Sequence, residues 1–271
     1  MLKNSQSKRK VSKLNNLRSI REEQTKISDI QKITSSLQMV ASTQSAQLNR
    51  RKKIHNLINE QARNTARSLF AAGLLENYFN KTNEKLHIVL SCDQKFCRNF
   101  LSGLHELLAR QKFAEEDRIW LFGHRSKDLL SDIATNSKLS TYKTVSLFEE
   151  CESIALKIME LRYPQVFMYS YLDDGKSFKK TDILDFSKYT NLTSEDIILF
   201  DDQININEVL HFFLASEIYN HVLQTGLRER IERAMAMSEA SSNAENKARY
   251  LKSLYNKTRQ SLITKEITNG T

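Results

Sequence analysis

Residues 17–48 read LRSIREEQTKISDIQKITSSLQMVASTQSAQL, and this stretch decides the fold. Apolar or small residues recur in it at steps of three, four or seven: Ile20, Ile27, Ile30, Leu37, Ala41 and Leu48. So narrow a stripe is typical of a coiled-coil helix, here with polar breaks at Glu23, Thr34 and Gln44. Because the chain has no proline from Leu17 to Phe79 and its first glycine is Gly73, we predict a coiled-coil helix over residues 17–80.

The C-terminal segment shows the same kind of pattern. Between Asn207 and Ile267 there is no proline and one glycine, Gly226. The apolar or small residues alternate in steps of four and three: Ala244, Ala248, Leu251, Tyr255, Thr258 and Leu262. This predicts a second coiled-coil helix over residues 207–271, antiparallel to the first. A helix of about sixty residues is on the order of 90 Å long, so it must project from its domain or lie against a partner.

The middle of the chain predicts a small α/β domain over residues 84–200. Three apolar runs have the length of strands, namely Lys85–Ser91, Arg118–Phe122 and Gln165–Tyr171. Helical spacing over Asn99–Lys112, and again behind a capping box of Ser146 and Glu149, separates these strands. Asp173–Lys176 predicts a hairpin turn into a strand near Phe178–Phe186. The fold class is therefore α+β, a long antiparallel coiled coil with a small central α/β domain that has a parallel core.

Basic residues are concentrated in the first quarter of the chain. Residues 1–67 contain fifteen Lys and Arg against four acidic residues, a net charge of +11 in a chain whose total is +9. We predict that residues 1–16 form a basic, flexible extension ahead of the helix. This uneven charge has three possible explanations: a polyanionic partner such as nucleic acid, a helix face exposed to solvent, or an acidic protein surface around the helix.

The sequence carries no motif for catalysis or for a cofactor. Phosphate-binding loops depend on closely spaced glycines. The six glycines of this chain are too far apart to form G-x-G-x-x-G or G-x-x-x-x-G-K-[ST]. The six histidines are dispersed, and Cys92 and Cys97 match no zinc spacing. We expect no catalytic residue, no cofactor and no metal, and a reducing compartment for the three cysteines. No run approaches the roughly 20 apolar residues of a membrane-spanning helix.

Motifs at both ends of the chain resemble the gamma subunits of F-type ATP synthases. Ile33–Ser42 (ITSSLQMVAS) is similar to the family's I-T-x-A-M-x-M-V-A, and Tyr255–Ile267 (YNKTRQSLITKEI) to its Y-N-x-x-R-Q-x-x-I-T-x-E-[IL]. Seven residues fall on the family's E-x-x-x-R-x-x-A-M-x-x-A-x-x-N-A pattern: Glu229, Arg233, Ala236, Met237, Ala240, Asn243 and Ala244. The resemblance covers most of the chain, from about residue 14 to its end.

The resemblance implies a central rotor stalk that couples proton or sodium flow to ATP synthesis or hydrolysis. Its partners would be the hexamer of alpha and beta subunits, the epsilon subunit and the membrane c-ring, with no nucleic acid and with membrane association only through the complex. It implies a peripheral location on the cytoplasmic face of a bacterial inner membrane, in preference to a mitochondrial or plastid inner membrane. The candidate contacts with the hexamer are Leu37, Met39, Val40, Arg259, Gln260, Leu262 and Ile263. A basic coiled-coil protein that binds nucleic acid or acts as a scaffold is the alternative.

One loop departs from the family pattern. The family's S-T-D-R-G-L-C-G-G corresponds here to Ser91–Asn99 (SCDQKFCRN), in which Asp93 and Cys97 match but all three glycines are replaced. Glycine allows positive φ and close backbone approach, so this turn must differ in conformation or in its packing.

Overall fold

The computed structural model describes residues 2–72, 84–135, 137–172, 176–185 and 205–268, with side chains from residue 16 onward except Lys265 and Glu266. These residues form two compact units. One contains residues 1–42 and 233–271 and is called the coil unit below. The other contains residues 43–232 and is called the sheet unit.

Two long helices account for the ends of the chain. Helix α1 is Leu2–Ala71 and helix α5, the last, is Ile206–Thr268. Helix α1 begins at Leu2 and not at residue 17, because residues 2–16 contain neither glycine nor proline to stop it. The predicted end of that helix near residue 80 lies outside the described residues. At the start of α5, the Asn205 side-chain oxygen accepts a hydrogen bond from the Asn207 amide (3.1 Å), which is the geometry of an N-cap.

The seam of the coil unit follows steps of seven residues. On α1 the seam alternates steps of three and four residues: Ile20, Ile27, Thr34 and Ala41 at one position of the repeat, and half-buried Leu17, Gln24, Gln31 and Gln38 at the other. Ile30 and Leu37, which the sequence predicted in the stripe, are exposed and lie outside the seam. Thr34, predicted as a polar break, is buried, and its hydroxyl donates to the Ile30 carbonyl (2.9 Å), so it enters the seam with its polar group satisfied. The prediction missed this heptad because three of its positions are the polar residues Gln24, Gln31 and Gln38, and it was drawn from apolar and small residues alone.

On α5 the predicted stripe is confirmed. Its six residues are all buried or half-buried: Ala244, Ala248, Leu251, Tyr255, Thr258 and Leu262. The two helices of the coil unit are antiparallel, and the Lys247 ammonium lies 3.3 Å from the Glu23 carboxylate across the pair. That ion pair sets Glu23 level with Lys247.

The sheet unit is built on a five-stranded sheet in the order β3-β2-β1-β4-β5. The strands are β1 Lys85–Leu90, β2 Arg118–Phe122, β3 Lys138–Tyr142, β4 Gln165–Leu172 and β5 Ser177–Asp182. Pairs β1–β2, β2–β3 and β1–β4 are parallel, whereas β4 and β5 are antiparallel, with Leu172 opposite Ser177. The parallel core is therefore confirmed. Of the predicted hairpin turn at Asp173–Lys176, residues 173–175 lie outside the described residues, and Lys176 has a positive φ (48°) just before β5.

Three shorter helices connect the strands: α2 Arg98–Ala109, α3 Lys127–Ile133 and α4 Phe148–Leu161, with a 3-10 turn at His124–Ser126 before α3. The predicted capping box is displaced by one residue. Glu150, not Glu149, accepts hydrogen bonds from the amides of Ser146 (2.8 Å) and Leu147 (2.9 Å). Its carboxylate therefore satisfies two donors at the start of α4.

Both faces of the sheet are covered. Leu86, Ile88 and Leu90 on one face pack in a core with α4 and with the sheet-unit parts of α1 and α5, including Ala66 and Phe213. The opposite face packs against α2 and α3 in a second core: Val89, Leu104, Leu108, Ile119, Leu121, Leu130, Ala134 and Tyr169. Two buried faces are what a mainly parallel sheet requires.

Candidate functional site

The seven predicted contact residues all lie in the coil unit, in two separate groups. Leu37, Met39 and Val40 are 39%, 70% and 53% exposed on α1. On α5, Arg259, Gln260 and Ile263 are exposed, whereas Leu262 is half-buried in the seam. Since Glu23 is level with Lys247, the two groups lie on opposite sides of that ion pair, about 40 Å apart along the coil at 1.5 Å per residue. The structure does not bring them together into one site.

Two residues of the first group, Leu37 and Val40, belong to a longer apolar stripe, while Met39 lies about 100° or more away around the helix. Ile33 is 59% exposed and lies one turn before Leu37, so Ile33, Leu37 and Val40 follow one side of α1. Met235 of α5 is 61% exposed and, by the same register, is level with Ser35. The sequence reading missed Met235, although it adjoins the matched Ala236 and Met237. A coil in water gains nothing by exposing these side chains, so the surface is suited to an enclosing partner.

The second group combines a cation with an apolar neighbour. Thr258 is half-buried and its hydroxyl donates to the Leu254 carbonyl (2.8 Å), which places the adjacent Arg259 outside the seam. Arg259 presents a guanidinium that can form paired hydrogen bonds to a carboxylate. Ile263, four residues later, is 43% exposed on the same side of the helix. Arg259 and Ile263 can therefore contact a partner through one charged and one apolar side chain.

The glycine-free loop at Ser91–Asn99 is held by side chains. Asp93 accepts hydrogen bonds from the amides of His124 (2.7 Å) and Thr144 (3.0 Å), which follow β2 and β3. Partial burial alone would raise the pKa of Asp93, but these hydrogen bonds outweigh it and hold that pKa below its ordinary value. The chain takes its positive φ (67°) at Phe96, although none of the replaced glycines stood there. This loop therefore places its positive φ at a residue other than the three that replace glycine.

The same loop is tied to α5 through two residues of the resemblance. The Cys97 thiol donates to Glu229 (3.3 Å), and Glu229 in turn receives a hydrogen bond from Arg230. Both Cys97 and Glu229 are buried. Motifs more than 130 residues apart in sequence thus meet in one polar contact. The contact positions the loop against the helix.

A buried polar network joins α1 to α5 within the sheet unit. The Arg63 guanidinium forms a two-pronged ion pair with Glu217, whose second oxygen is 2.9 Å away. Asn59 accepts a hydrogen bond from the Ser216 hydroxyl (2.8 Å), and His55 lies 2.9 Å from the Ser216 carbonyl. Fully satisfied polar groups in a helix interface fix its register, because a shift would leave them unpaired.

A second buried cluster lies in the sheet. His87 approaches Tyr169 through Nδ1 (2.9 Å) and Asp117 through Nε2 (3.1 Å), so a neutral imidazole can accept from the tyrosine and donate to the carboxylate. Burial lowers the pKa of His87 from 6.5 to about 4, against the opposing effect of Asp117. Among the described residues no cluster of His, Cys, Asp or Glu could hold a metal ion. The described helices also include none that could cross a bilayer.

Comparison with known proteins gives consistent matches along the chain. The model of the ATP synthase family matches residues 16–269. The chain is 23% identical to the ATP synthase gamma chain of Mycoplasma capricolum, covering 93% of this chain and 95% of that protein. It is 26% identical to the mitochondrial ATP synthase subunit gamma of Drosophila melanogaster, covering 89% of this chain and 84% of the other.

Solved structures share the fold. A chain from the rotor of the Euglena gracilis mitochondrial ATP synthase superposes with a TM-score of 0.60 at 14% identity, covering 92% of this chain and 99% of that one. A second Euglena structure, of the OSCP/F1/c-ring part, gives 0.61 at 16% identity, with coverage of 94% and 92%. These proteins therefore share a fold that combines long helices with a small sheet. Because the family model spans nearly all of the sequence, the chain belongs to the gamma-subunit family of ATP synthases.

Proposed function

We propose that this chain acts as a shaft that alters the conformation of the catalytic subunits around it and performs no catalysis itself. As a gamma subunit it is the central rotor stalk of an F-type ATP synthase. The alternative of a coiled-coil protein that binds nucleic acid or acts as a scaffold has no support among the matches. The observation that carries the proposal is the exposed apolar surface of the coil unit, from Ile33 to Val40, on a coil that needs an enclosing partner.

The shaft works by differential contact. Its partners are the alpha and beta subunits around the coil, with the epsilon subunit and the c-ring on the rotor. The two contact groups lie on different helices and at different levels of the coil, so the coil is asymmetric and presents different surfaces to the three beta subunits. Rotation then stabilises different beta conformations in turn. The shaft can shift a beta subunit between two conformations only by the difference in its contact free energy with each of them.

We further propose a peripheral location on the cytoplasmic face of a bacterial inner membrane, with attachment through the c-ring. Purification of the tagged full-length chain from its own cells tests the function. It should retrieve alpha and beta subunits in a complex that hydrolyses ATP, whereas the isolated chain should hydrolyse none. Recovery without alpha and beta subunits would refute the proposal.

Arg259→Ala should leave the complex assembled and change its rate of ATP hydrolysis or synthesis by about tenfold. A charge-assisted hydrogen bond is worth roughly 1.5–3 kcal/mol, and about 1.4 kcal/mol corresponds to one decade in rate. If the bond forms in one rotary state, its loss changes the barrier for leaving that state. Steady-state rates of purified complexes measure the effect.

Arg249→Ala is the matched control, because Arg249 is an exposed arginine of α5 that pairs with Glu245 of its own helix. That variant should keep the parent rate. Equal rates for the Arg259→Ala and Arg249→Ala complexes would show that the Arg259 guanidinium is only hydrated and makes no functional contact with a beta subunit.

A further inference from the structure

An open cavity of about 590 Å³ lies beside the glycine-free loop of the sheet unit. Its wall includes three cations: Lys95 and Arg98 of the loop, and Arg125 of the 3-10 turn that follows β2. All three side chains are exposed, and none of them forms an ion pair with a residue that the structure describes. Among the described residues that line the cavity, none is acidic. The described part of the wall therefore concentrates positive charge without a counter-charge of its own.

Three acidic residues that are near the cavity in sequence or in contact are engaged elsewhere. Asp93 accepts hydrogen bonds from two main-chain amides, which follow β2 and β3. Glu106 of α2 pairs with Arg110, one turn further along the same helix. Glu229 is buried and pairs with Arg230. The three cations of the cavity therefore take their counter-charge from the solvent or from a ligand.

The position of two of these cations breaks a local electrostatic rule. Helix α2 begins at Arg98, has no acidic residue in its first turn and has no side-chain cap at Cys97. Because the N-terminus of a helix carries partial positive charge, cations such as Lys95 and Arg98 are unfavourable there. Both also stand where the family pattern has glycine, so this charge is particular to the chain. Proteins retain such local conflicts mainly at functional sites, and a bound anion would convert the repulsion into attraction.

An exposed aromatic ring adjoins the cations. Phe96 lines the cavity and is 59% exposed. Its φ of 67° is a conformation that costs free energy for any residue with a Cβ. The ring lies outside the small core that Cys92, Cys97 and Phe100 form at the loop, so the fold gains little from it. A flat apolar face beside unpaired cations is suited to stack on a heteroaromatic base whose phosphates reach those cations.

We propose that this cavity binds a nucleoside di- or triphosphate, with the phosphates on Lys95, Arg98 and Arg125 and the base on Phe96. The two guanidinium groups can form paired hydrogen bonds to phosphate oxygens, and the lysine adds a point charge. The absence of glycine motifs excludes a site built from main-chain amides, whereas this site is built from side chains. The proposal goes beyond the shaft function, since it gives this non-catalytic chain a nucleotide of its own.

Equilibrium dialysis of the full-length chain against radiolabelled ATP tests the proposal. We expect a single ATP per chain. Arg98→Gln/Arg125→Gln should weaken ATP binding by about a hundredfold, because each lost charge-assisted hydrogen bond is worth at least about a decade in affinity. The variant should stay folded, as checked by circular dichroism, because both side chains are exposed and Arg98 is unfavourable at the helix N-terminus.

Lys138→Gln/Lys157→Gln is the matched control. It removes two exposed cations of the sheet unit that lie outside the cavity wall, so the change in net charge is the same. This variant should keep the ATP affinity of the parent. Equal weakening by both pairs of substitutions, or no weakening by either, would overturn the proposal, because the cavity cations would then have no specific role.

Inorganic triphosphate separates the contribution of the base from that of the phosphates. It should bind about tenfold more weakly than ATP, because it has no base to stack on Phe96. Phe96→Leu should lower the affinity for ATP to that for inorganic triphosphate and leave the latter unchanged. Equal affinities of the parent chain for the two compounds would overturn the nucleoside assignment.

Photolabelling tests the site in the assembled complex. The purified complex is irradiated with 8-azido-ATP, and peptides of this chain are analysed by mass spectrometry. We expect label on the loop around Phe96, and its loss in Arg98→Gln/Arg125→Gln. Label in the isolated chain but none in the complex would show that another subunit covers the cations, which would overturn the proposal. The rotor function is tested separately, by the presence of alpha and beta subunits in the same complex.

Discussion

His87 and His221 are the two residues whose chemistry depends most on where the fold places them. His221 is buried against Ser170, with 2.6 Å between its Nδ1 and the hydroxyl, and burial lowers its pKa from 6.5 to about 4. His87 reaches about the same pKa for the same main reason. From the sequence alone both looked like ordinary dispersed histidines, because burial is a tertiary property that no local pattern reports.

These two histidines should make the stability of the sheet unit fall as the pH falls. Their pKa is lower in the folded chain than in the unfolded chain, so the unfolded chain binds more protons between pH 6.5 and 4. The stabilisation is complete above about pH 6.5 and decreases by about 1.4 kcal/mol per pH unit for each group towards pH 4. Urea unfolding at several pH values and NMR titration of the imidazoles measure it. Titration of both near 6.5 in the folded chain would contradict this.

At the scale of elements, the two long helices, strands β1, β2 and β4 and the parallel direction of the core strands could be predicted from the sequence, whereas the order of the strands was not. Their signals are strong and local: missing helix breakers, and apolar runs of strand length. Strand β3 was missed because Lys138–Tyr142 (KLSTY) is polar at an edge of the sheet, and only its pairing with β2 makes it a strand. Thr34 was misread as a break because its hydroxyl is satisfied by its own helix. In both cases the deciding contact is invisible in the local sequence: for β3 it is the pairing with β2, and for Thr34 it is the hydrogen bond to the Ile30 carbonyl.

Gly123 follows β2 directly and has a backbone conformation that residues with a Cβ rarely adopt. Its φ is +96°, and a Cβ there would lie 2.7 Å from the Cys92 nitrogen. Gly123→Ala should therefore destabilise the chain by about 3 kcal/mol or more, through backbone strain and a clash with main-chain atoms. Chemical denaturation monitored by tryptophan fluorescence is suitable, because Trp120 lies in β2.

Gly226→Ala provides the matched change on α5. A Cβ at Gly226 would meet only side-chain atoms at 3.6 and 3.7 Å, which are ordinary contacts. Alanine is better than glycine inside a helix by up to about 1 kcal/mol, so this variant should equal or exceed the parent in stability. Equal destabilisation by the two substitutions would show that the positive φ of Gly123 has no special cost.

At the scale of the whole molecule, stability is unevenly distributed between the two units. The sheet unit buries two cores of large side chains. The seam of the coil unit includes Thr34, Ala41 and Ala244, which remove little apolar area from water. The sequence predicted the coil, yet which side chains face its partners could not be read from it, because the partners decide which surface is enclosed. Exposed Met235 is an example.

Amide hydrogen exchange should resolve the difference. In the isolated chain, amides of residues 16–42 and 233–264 should be protected about a hundredfold less than those of β1, β2 and β4, since weakly packed helices open locally. In the assembled complex the coil unit should gain protection and approach the sheet. Equal protection of both units in the isolated chain would mean that the coil needs no enclosing subunits.

The seam of the coil unit has one mechanical consequence. Buried or half-buried positions at intervals of seven residues, Ile20, Ile27, Thr34 and Ala41, impose a left-handed supercoil on the two helices. A left-handed two-stranded rope responds differently to the two senses of twist: one tightens the winding and presses the small seam residues together, and the other loosens it. Torsional compliance of the shaft should therefore depend on the direction of loading. Twisting the coil by the same angle in the two senses would then store different amounts of elastic energy.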